Sequence, residues 1–530
     1  MQQLLLGDEA IAQGAIDAGL SGIYAYPGTP STEIMEYVQK NDEAREKGIH
    51  CRWSTNEKTA MEAALGMSYA GKRTMVCMKH VGLNVAADPF MNSALTGVNG
   101  GVIIVSADDP SMHSSQNEQD SRFFGKFAMV PVLEPSSQQE AYDMVHYGFE
   151  LSEAFKIPVM IRITTRLAHS RTGIASSKKK EQNPLALPSD PRQFILLPAI
   201  ARIRYKNLLK NQAGLEDKSF DSDFNKFIDG EDKSFGIIAS GIAYNYVMEN
   251  AQDGKVKNPI LKIAQYPVPK KLIDKISLQC KTLLVLEEGY PFIEEQLTGL
   301  IENGYTIKGR LSGDVPRDGE LNPNIVAKAL GLAVPETVAT PAIVVNRPPA
   351  LCKGCSHIDT YLALNEAMQK YDGNRIFSDI GCYTLGALPP FNSINTCVDM
   401  GASITMAKGA SDAGLTPSIA VIGDSTFTHS GMTGLLDAVL ENTPITVIIS
   451  DNETTGMTGG QTSAATGRLE KICLGLGVER EHLKVILPLK KNHEENVRIM
   501  AEELAYQGLS VIISQRECIQ TAARRKRSSI

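Results

Sequence analysis

The chain has 530 residues, 43% of them hydrophobic and 21% charged, with a formal net charge of −7, the composition of a soluble globular protein of roughly three or four domains. The negative balance argues against nucleic acid as the main partner, and no apolar run reaches the length of a membrane span. The start "MQQLLLGDEA" lacks the charged region and apolar length of a signal peptide, so the expectation is a cytoplasmic protein. Nine cysteines, an odd number in a long chain, point to metal, cluster or core roles rather than to a disulfide framework.

Taken in chain order, residues 1–175 alternate short apolar runs with amphipathic stretches. "GIYAYPG", "RTMVCMKH", "GGVIIVSADD" and "IPVMIRI" read as buried parallel strands, and "KTAMEAALGMSYA" between them as a helix. This is the pattern of a doubly wound α/β domain. Residues 176–234 are polar and Pro-rich, then acidic, and read as a connector with one helix near "AIARIRYKNLLKNQ". Residues 235–345 form a second α/β unit with strands at "PILKIAQ" and "TLLVLEE". A third, over 346–520, has strands at "RIFSDI", "SIAVIGD", "ITVIISD" and "LSVIIS". The basic end, 521–530, reads as a solvated or disordered tail.

The third unit carries the sharpest signal. "SIAVIGD" is a strand, "GMTGLLDAVLENT" has apolar residues at helical spacing, and "PITVIISDN" is the next strand. A crossover of this length is right-handed and ends both strands on one edge of the sheet. Asp424 and Asn452, 28 residues apart, then both fall on the ligand-binding edge. A carboxylate, an amide oxygen and a nearby backbone carbonyl make a hard oxygen site suited to Mg²⁺, which completes its shell with phosphate and water. The loop "ETTGMTGGQT" offers hydroxyls and Gly-permitted backbone N–H groups for phosphate. The sum is a Mg²⁺–diphosphate site using Gly423, Asp424, Ser425, Asn452, Thr454, Thr455, Gly456, Met457 and Thr458.

"GDS" followed by "DN" resembles the thiamine diphosphate motif, and "AYPGTPSTEI", "LCKGCSH", "DIGCYTLG" and "DNETTGMTGGQ" are similar to the large subunits of indolepyruvate ferredoxin oxidoreductases. The resemblance covers nearly the whole chain. It implies three α/β domains in order: pyrimidine-binding, transketolase C-terminal-like and diphosphate-binding. It implies Asp424 and Asn452 as Mg²⁺ ligands, with the Thr454 carbonyl as the third protein ligand.

Glu57, by itself, reads as an acid in the first turn of a helix capped by Asn56. The resemblance makes it the glutamate that protonates the aminopyrimidine ring of thiamine diphosphate, with Glu62, further down the helix, as its competitor. Gly28, Thr29, Pro30 and Ser31 form a tight loop that touches substrate or cofactor, or is a plain strand-to-helix turn. Lys79 and His80 end another strand. They meet a substrate carboxylate or transfer a proton, or His80 is a buried histidine with satisfied partners.

Cys352 and Cys355 form C-K-G-C, which alone is redox, metal-binding or accidental. Cys382 and Cys518 follow strands that can reach the same sheet edge. By resemblance to the small subunits of related 2-oxoacid ferredoxin oxidoreductases, these four are candidate ligands of a [4Fe–4S] cluster, with Cys397 a rival fourth ligand. Cys51, Cys77, Cys280 and Cys473 read as core residues. The large subunits of this family usually carry paired C-x-x-C-x-x-C-x-x-x-C runs in a ferredoxin-like domain. None occurs in residues 1–530, so onward electron transfer is expected through a separate protein or a different partner subunit, or does not occur.

The resemblance implies oxidative decarboxylation of an aryl 2-oxoacid of indolepyruvate type to the acyl-CoA, with coenzyme A as co-substrate and electrons passed to ferredoxin or another carrier. It implies a homodimer of this chain, its cofactor shared across the interface, together with a small subunit. The alternatives are a non-oxidative thiamine diphosphate-dependent decarboxylase and a non-catalytic subunit that keeps the fold.

Overall fold

The computed structural model describes residues 2–177, 179–300, 303–334, 338–345, 347–373 and 375–528. The chain forms two compact units, Met1–Val338 and Ala339–Ile530. Among the described residues, no helix is long and apolar enough to cross a membrane.

In the first unit the apolar runs become Gly22–Ala25, Thr74–Lys79, Val102–Asp108 and Val159–Thr164. They lie in a seven-stranded sheet ordered Gln265–Tyr266, Val132–Leu133, Val159–Thr164, Val102–Asp108, Thr74–Lys79, Gly22–Ala25, His50–Trp53. Every pairing is parallel except that of Gln265–Tyr266 with Val132–Leu133. All seven residues of Val102–Asp108 are buried, which is why the run is continuously apolar rather than alternating. The expected helix is Glu57–Tyr69; its Asn56 cap accepts a hydrogen bond at 2.8 Å from the Thr59 amide.

The connector holds more structure than its composition suggests. Its helix runs Pro198–Phe220, and Lys226–Ile228 is an edge strand of a second, five-stranded sheet ordered Thr306–Lys308, Thr282–Leu286, Gly236–Ser240, Ile260–Ile263, Lys226–Ile228. Three residues are too short for a periodic signal; pairing with Ile260–Ile263 makes them a strand. Ile237 and Leu284 of this sheet belong to the same apolar cluster as Val105 and Ile161 of the first.

The second unit has one five-stranded parallel sheet, ordered Ile376–Ser378, Ser418–Gly423, Ile445–Asp451, Ser510–Gln515, Leu483–Ile486. Alternate residues sort onto two faces: Ala420, Ile422, Val447 and Ile449 into one apolar cluster, Ile419, Val421, Ile448 and Ile512 into the other. The basic end is not a loose tail. It is the helix Ile519–Ser528, from which Arg524 donates to the Gly459 carbonyl; a helix lets these long side chains reach back to the loop while their charges stay wet.

The heaviest polar burial lies in the first unit. Arg122 and Arg162 have fully buried side chains. Arg162 Nε lies 2.6 Å from Asp108 Oδ2, and its other end pairs with Glu134 and donates to the Glu288 carbonyl at 3.0 Å. Arg122 pairs with Asp120 and, at 2.9 Å, with Glu287 Oε2. The network ties the tips of the first sheet to the segment after Thr282–Leu286. Removing one member leaves buried charge without a counter-ion, which costs about 3–5 kcal/mol. Arg162→Met is therefore expected to lower unfolding stability by about that amount, read as a fall in denaturant midpoint; an unchanged midpoint would contradict this role.

Candidate active site

The second unit builds its site at the carboxyl ends of two adjacent strands. Gly423 pairs with Ser450, so the residues that follow them emerge side by side. Asp424 is 2% exposed, and its Oδ2 has no hydrogen-bond partner. Burial pushes its pKa up to about 7; Asp451 adds to the rise, and a hydrogen bond from Ser463 opposes it. Asn452 is also buried, its Oδ1 accepting from the Thr454 amide at 3.2 Å. Thr455 donates to Ser425 Oγ at 3.0 Å, joining the loop to the turn after Gly423. Gly423 is obligatory: a Cβ there would lie 2.5 Å from the Tyr383 ring. The Gly456–Thr458 turn follows, with Thr458 donating to Gln461 Oε1 at 2.6 Å and the Met457 side chain exposed.

This donor set fits a divalent cation. A buried carboxylate oxygen with nothing to accept from is costly unless a cation or proton answers it, and carboxylate with amide oxygen is the hard pairing Mg²⁺ takes. Downstream of Asp424 the chain makes a π-helical turn, Phe427–Gly431, a distortion frequent at functional sites.

The cysteines gather beside this edge. Burial raises the pKa of Cys355, and Cys352 and Cys518 raise it further. Cys382 is pushed up to about 12 by burial and then by Cys355, Cys518 and Cys352. The four thiols are thus close enough to feel one another. The Cys518 amide donates to the Asn452 carbonyl at 3.0 Å, and a Cβ on Gly456 would sit 3.2 Å from Cys382 Sγ. Arg516 fixes the arrangement, pairing with Asp359 at 2.8 Å and donating to the Gly354 carbonyl inside C-K-G-C. Cys397 stands apart: its rise comes from burial and Asp379, not from the other thiols. Cys77, Cys280 and Cys473 are buried and Cys51 is partly buried against the core.

In the first unit Glu57 is 5% exposed in the first turn of its helix, where the helix N-terminus favours negative charge. A Cβ on Gly82 would lie 2.5 Å from Glu57 Oε1, so the carboxylate rests directly on the Gly82 backbone. Glu62 points elsewhere, half-exposed and paired with Lys58. His80, two residues before Gly82, is 1% exposed; its Nε2 lies 3.3 Å from the Asn117 carbonyl and its Nδ1 has no partner. Lys79 is buried and its pKa falls to about 8 through desolvation, with Asp109 opposing. It donates to the Ser114 carbonyl at 3.0 Å, and its Cβ is the nearest atom to a Cβ built on Gly28. Ser31 Oγ donates to the Gly28 carbonyl at 2.8 Å, holding the Gly28–Ser31 loop closed.

Several residues at these sites escape sequence reasoning. Asp109 accepts from the Ser114 amide at 2.8 Å and Ser115 Oγ at 2.6 Å, ordering the loop that meets Lys79; the strand run "GGVIIVSADD" assigns it no role. Asp379, raised to about 6 by burial, accepts from Ser403 Oγ at 2.6 Å and from the Tyr383 hydroxyl. His357 is buried, its pKa lowered to about 4 by desolvation and then Arg516. Both lie in quoted motifs, but burial, not residue type, is what singles them out.

Residues 13–202 match the model of the pyruvate flavodoxin/ferredoxin oxidoreductase thiamine diphosphate-binding family, and residues 379–476 that of the C-terminal thiamine pyrophosphate-binding domain of thiamine pyrophosphate enzymes. The chain is 39% identical to the indolepyruvate oxidoreductase subunit IorA of Archaeoglobus fulgidus, over 99% of this chain and 88% of that one. It is 36% identical to the IorA of Methanothermobacter thermautotrophicus, over 97% and 86%, and 38% identical to that of Pyrococcus abyssi, over 97% and 85%. With two thiamine diphosphate-binding regions and likeness along almost its whole length, the chain belongs to the IorA family of indolepyruvate oxidoreductase subunits, 2-oxoacid oxidoreductases that use thiamine diphosphate.

Proposed function

We propose that the chain catalyses oxidative decarboxylation of an aryl 2-oxoacid, giving the acyl-CoA and carbon dioxide and passing two electrons through an iron–sulfur cluster to ferredoxin or a similar carrier. The observation that carries this reading is the neighbourhood of Asn452 and Cys518, whose backbones are hydrogen-bonded at 3.0 Å. The diphosphate motif and the cysteine group thereby share one sheet edge.

Bound thiamine diphosphate supplies the nucleophilic carbon and electron sink for loss of carbon dioxide. The protein's part is to hold and tune it. Asp424, Asn452 and the Thr454 carbonyl would ligate Mg²⁺, and Ser425 and Thr455–Thr458 would receive the diphosphate. Glu57, buried and pressed on Gly82, has one position from which to exchange a proton with the aminopyrimidine ring. Thr29, Lys79 and His80 would face the 2-oxoacid; Lys79 offers a cation in a dry setting, where it attracts a substrate carboxylate strongly. Cys352, Cys355, Cys382 and Cys518 would hold a [4Fe–4S] cluster next to the diphosphate motif, short of any long electron path. The same reading assigns a homodimer of this chain in the cytoplasm, with a small subunit as its partner, as the relatives' designation as subunits suggests.

Three measurements test this. Glu57→Gln is expected to keep bound cofactor but slow exchange of its C2 proton by about 10²–10⁴-fold, followed by NMR; Glu62→Gln should leave exchange unchanged. Normal exchange in Glu57→Gln would remove the role assigned to Glu57. Asp424→Asn should raise the Mg²⁺ concentration needed for cofactor binding by at least about tenfold, or ~1.4 kcal/mol, without loss of thermal stability. Anaerobically purified protein should contain about four iron and four sulfide per chain, lost in Cys382→Ser and kept in Cys397→Ser. Cluster-free protein that still released carbon dioxide would instead be a non-oxidative decarboxylase.

A further inference from the structure

A second group of ligand-type side chains lies in the first unit, on residues the proposed cofactor site does not use. Asp8 stands in the first turn of the helix Gly7–Asp17, Glu33 in the first turn of Thr32–Lys40, and His169 ends Thr165–His169. One ligand atom of each lies within 4.8 Å of the other two. The three elements are fastened together. A Cβ on Gly7 would come within 2.2 Å of the Leu167 carbonyl oxygen, so glycine alone permits that approach. Tyr37 donates to Gln13 Oε1 at 2.8 Å, joining the two longer helices. Gln138 donates to the Ser170 carbonyl at 2.8 Å, holding the residue after His169.

Asp8 is the anomaly. Its side chain is fully buried, and both carboxylate oxygens lack a hydrogen-bond partner. Burial, then Glu33, then Glu9, raise its pKa well above the carboxylate range. Buried carboxylates normally find donors, and one with neither oxygen answered calls for a bound species. Glu33 Oε2 also lacks a hydrogen bond, yet lies 3.5 Å from His169 Nε2. That is long for a hydrogen bond. It matches the ~3.4 Å between two ligands of a tetrahedral ion with metal bonds of about 2.0–2.2 Å. Without a metal the two attract as an ion pair, and Glu33 draws the His169 pKa upward.

We propose that Asp8, Glu33 and His169 form a binding site for a divalent transition-metal ion. One imidazole with two carboxylates suits Zn²⁺, with water in the fourth position, better than it suits Mg²⁺ or Ca²⁺, which take oxygen ligands. The ion would clamp the two helix starts to the turn after Val159–Thr164, a bond between segments far apart in sequence.

The test uses the full chain, purified anaerobically and saturated with Mg²⁺ and thiamine diphosphate, then equilibrated with Zn²⁺, freed of excess and assayed for zinc. His169 and Glu33 have partly exposed side chains, so His169→Ala and Glu33→Gln should fold. Each is expected to hold about one zinc fewer per chain than the unsubstituted protein, whereas Cys352→Ser should keep that zinc. Zn²⁺ should raise the melting temperature of the unsubstituted chain and not that of His169→Ala. Equal zinc content in the unsubstituted chain, His169→Ala and Glu33→Gln, with equal melting shifts in the unsubstituted chain and His169→Ala, would overturn the site and leave Asp8 a protonated core carboxyl.

Discussion

Asp424 holds a carboxyl group out of water at the end of a strand that is paired on both sides by parallel neighbours. Much of the second unit follows from that placement. Parallel strands need crossovers, crossovers cover both faces of the sheet, and the tips at one edge become the place where polar groups can gather. Ile419 and Val421 fill one face, Ala420 and Ile422 the other, so the strand has no freedom to slip. A one-residue shift would turn each face inside out. The apolar sandwich therefore fixes the carboxylate beside Asn452.

The first unit solves a different problem. Two sheets meet there, sharing one apolar cluster and a set of buried ion pairs. Arg122 and Arg162 answer Asp108, Asp120, Glu134 and Glu287 in a fully buried network. Such networks add little net stability over apolar packing but penalise any misfit heavily. They hold the tip of Val102–Asp108, and with it Asp109 and the loop that meets Lys79, against the second sheet.

The cysteine group and the diphosphate motif meet through a backbone hydrogen bond and through the Cys382 thiol beside Gly456. Cys518 and Asn452 belong to loops after neighbouring strands, and one hydrogen bond joins them. Arg516 then ties the C-K-G-C turn to the same place. The raised pKa values of Cys355 and Cys382 mean that these two thiols would keep their protons until a metal displaced them. Coupling of metal loading to proton release is the usual behaviour of thiolate sites.

Strand positions, the crossover between 418 and 451, and the placement of Asp424 and Asn452 just past the ends of neighbouring strands were legible in the amino-acid order alone. Those features are local: apolar runs of strand length, Gly-Asp and Asp-Asn at their ends, and a helix-length spacer. The choice of Glu57 over Glu62 was half-legible, since both lie on one helix, and the backbone of Gly82 and the cation of Lys58 decide which is buried. The edge strand Lys226–Ile228, the helix at the basic end, the buried arginine network and the Asp8–Glu33–His169 group left no readable trace. Each depends on which distant segments come to lie side by side, and on which polar atoms lose their water when they do. Periodicity along a chain carries neither piece of information; only the packed structure does.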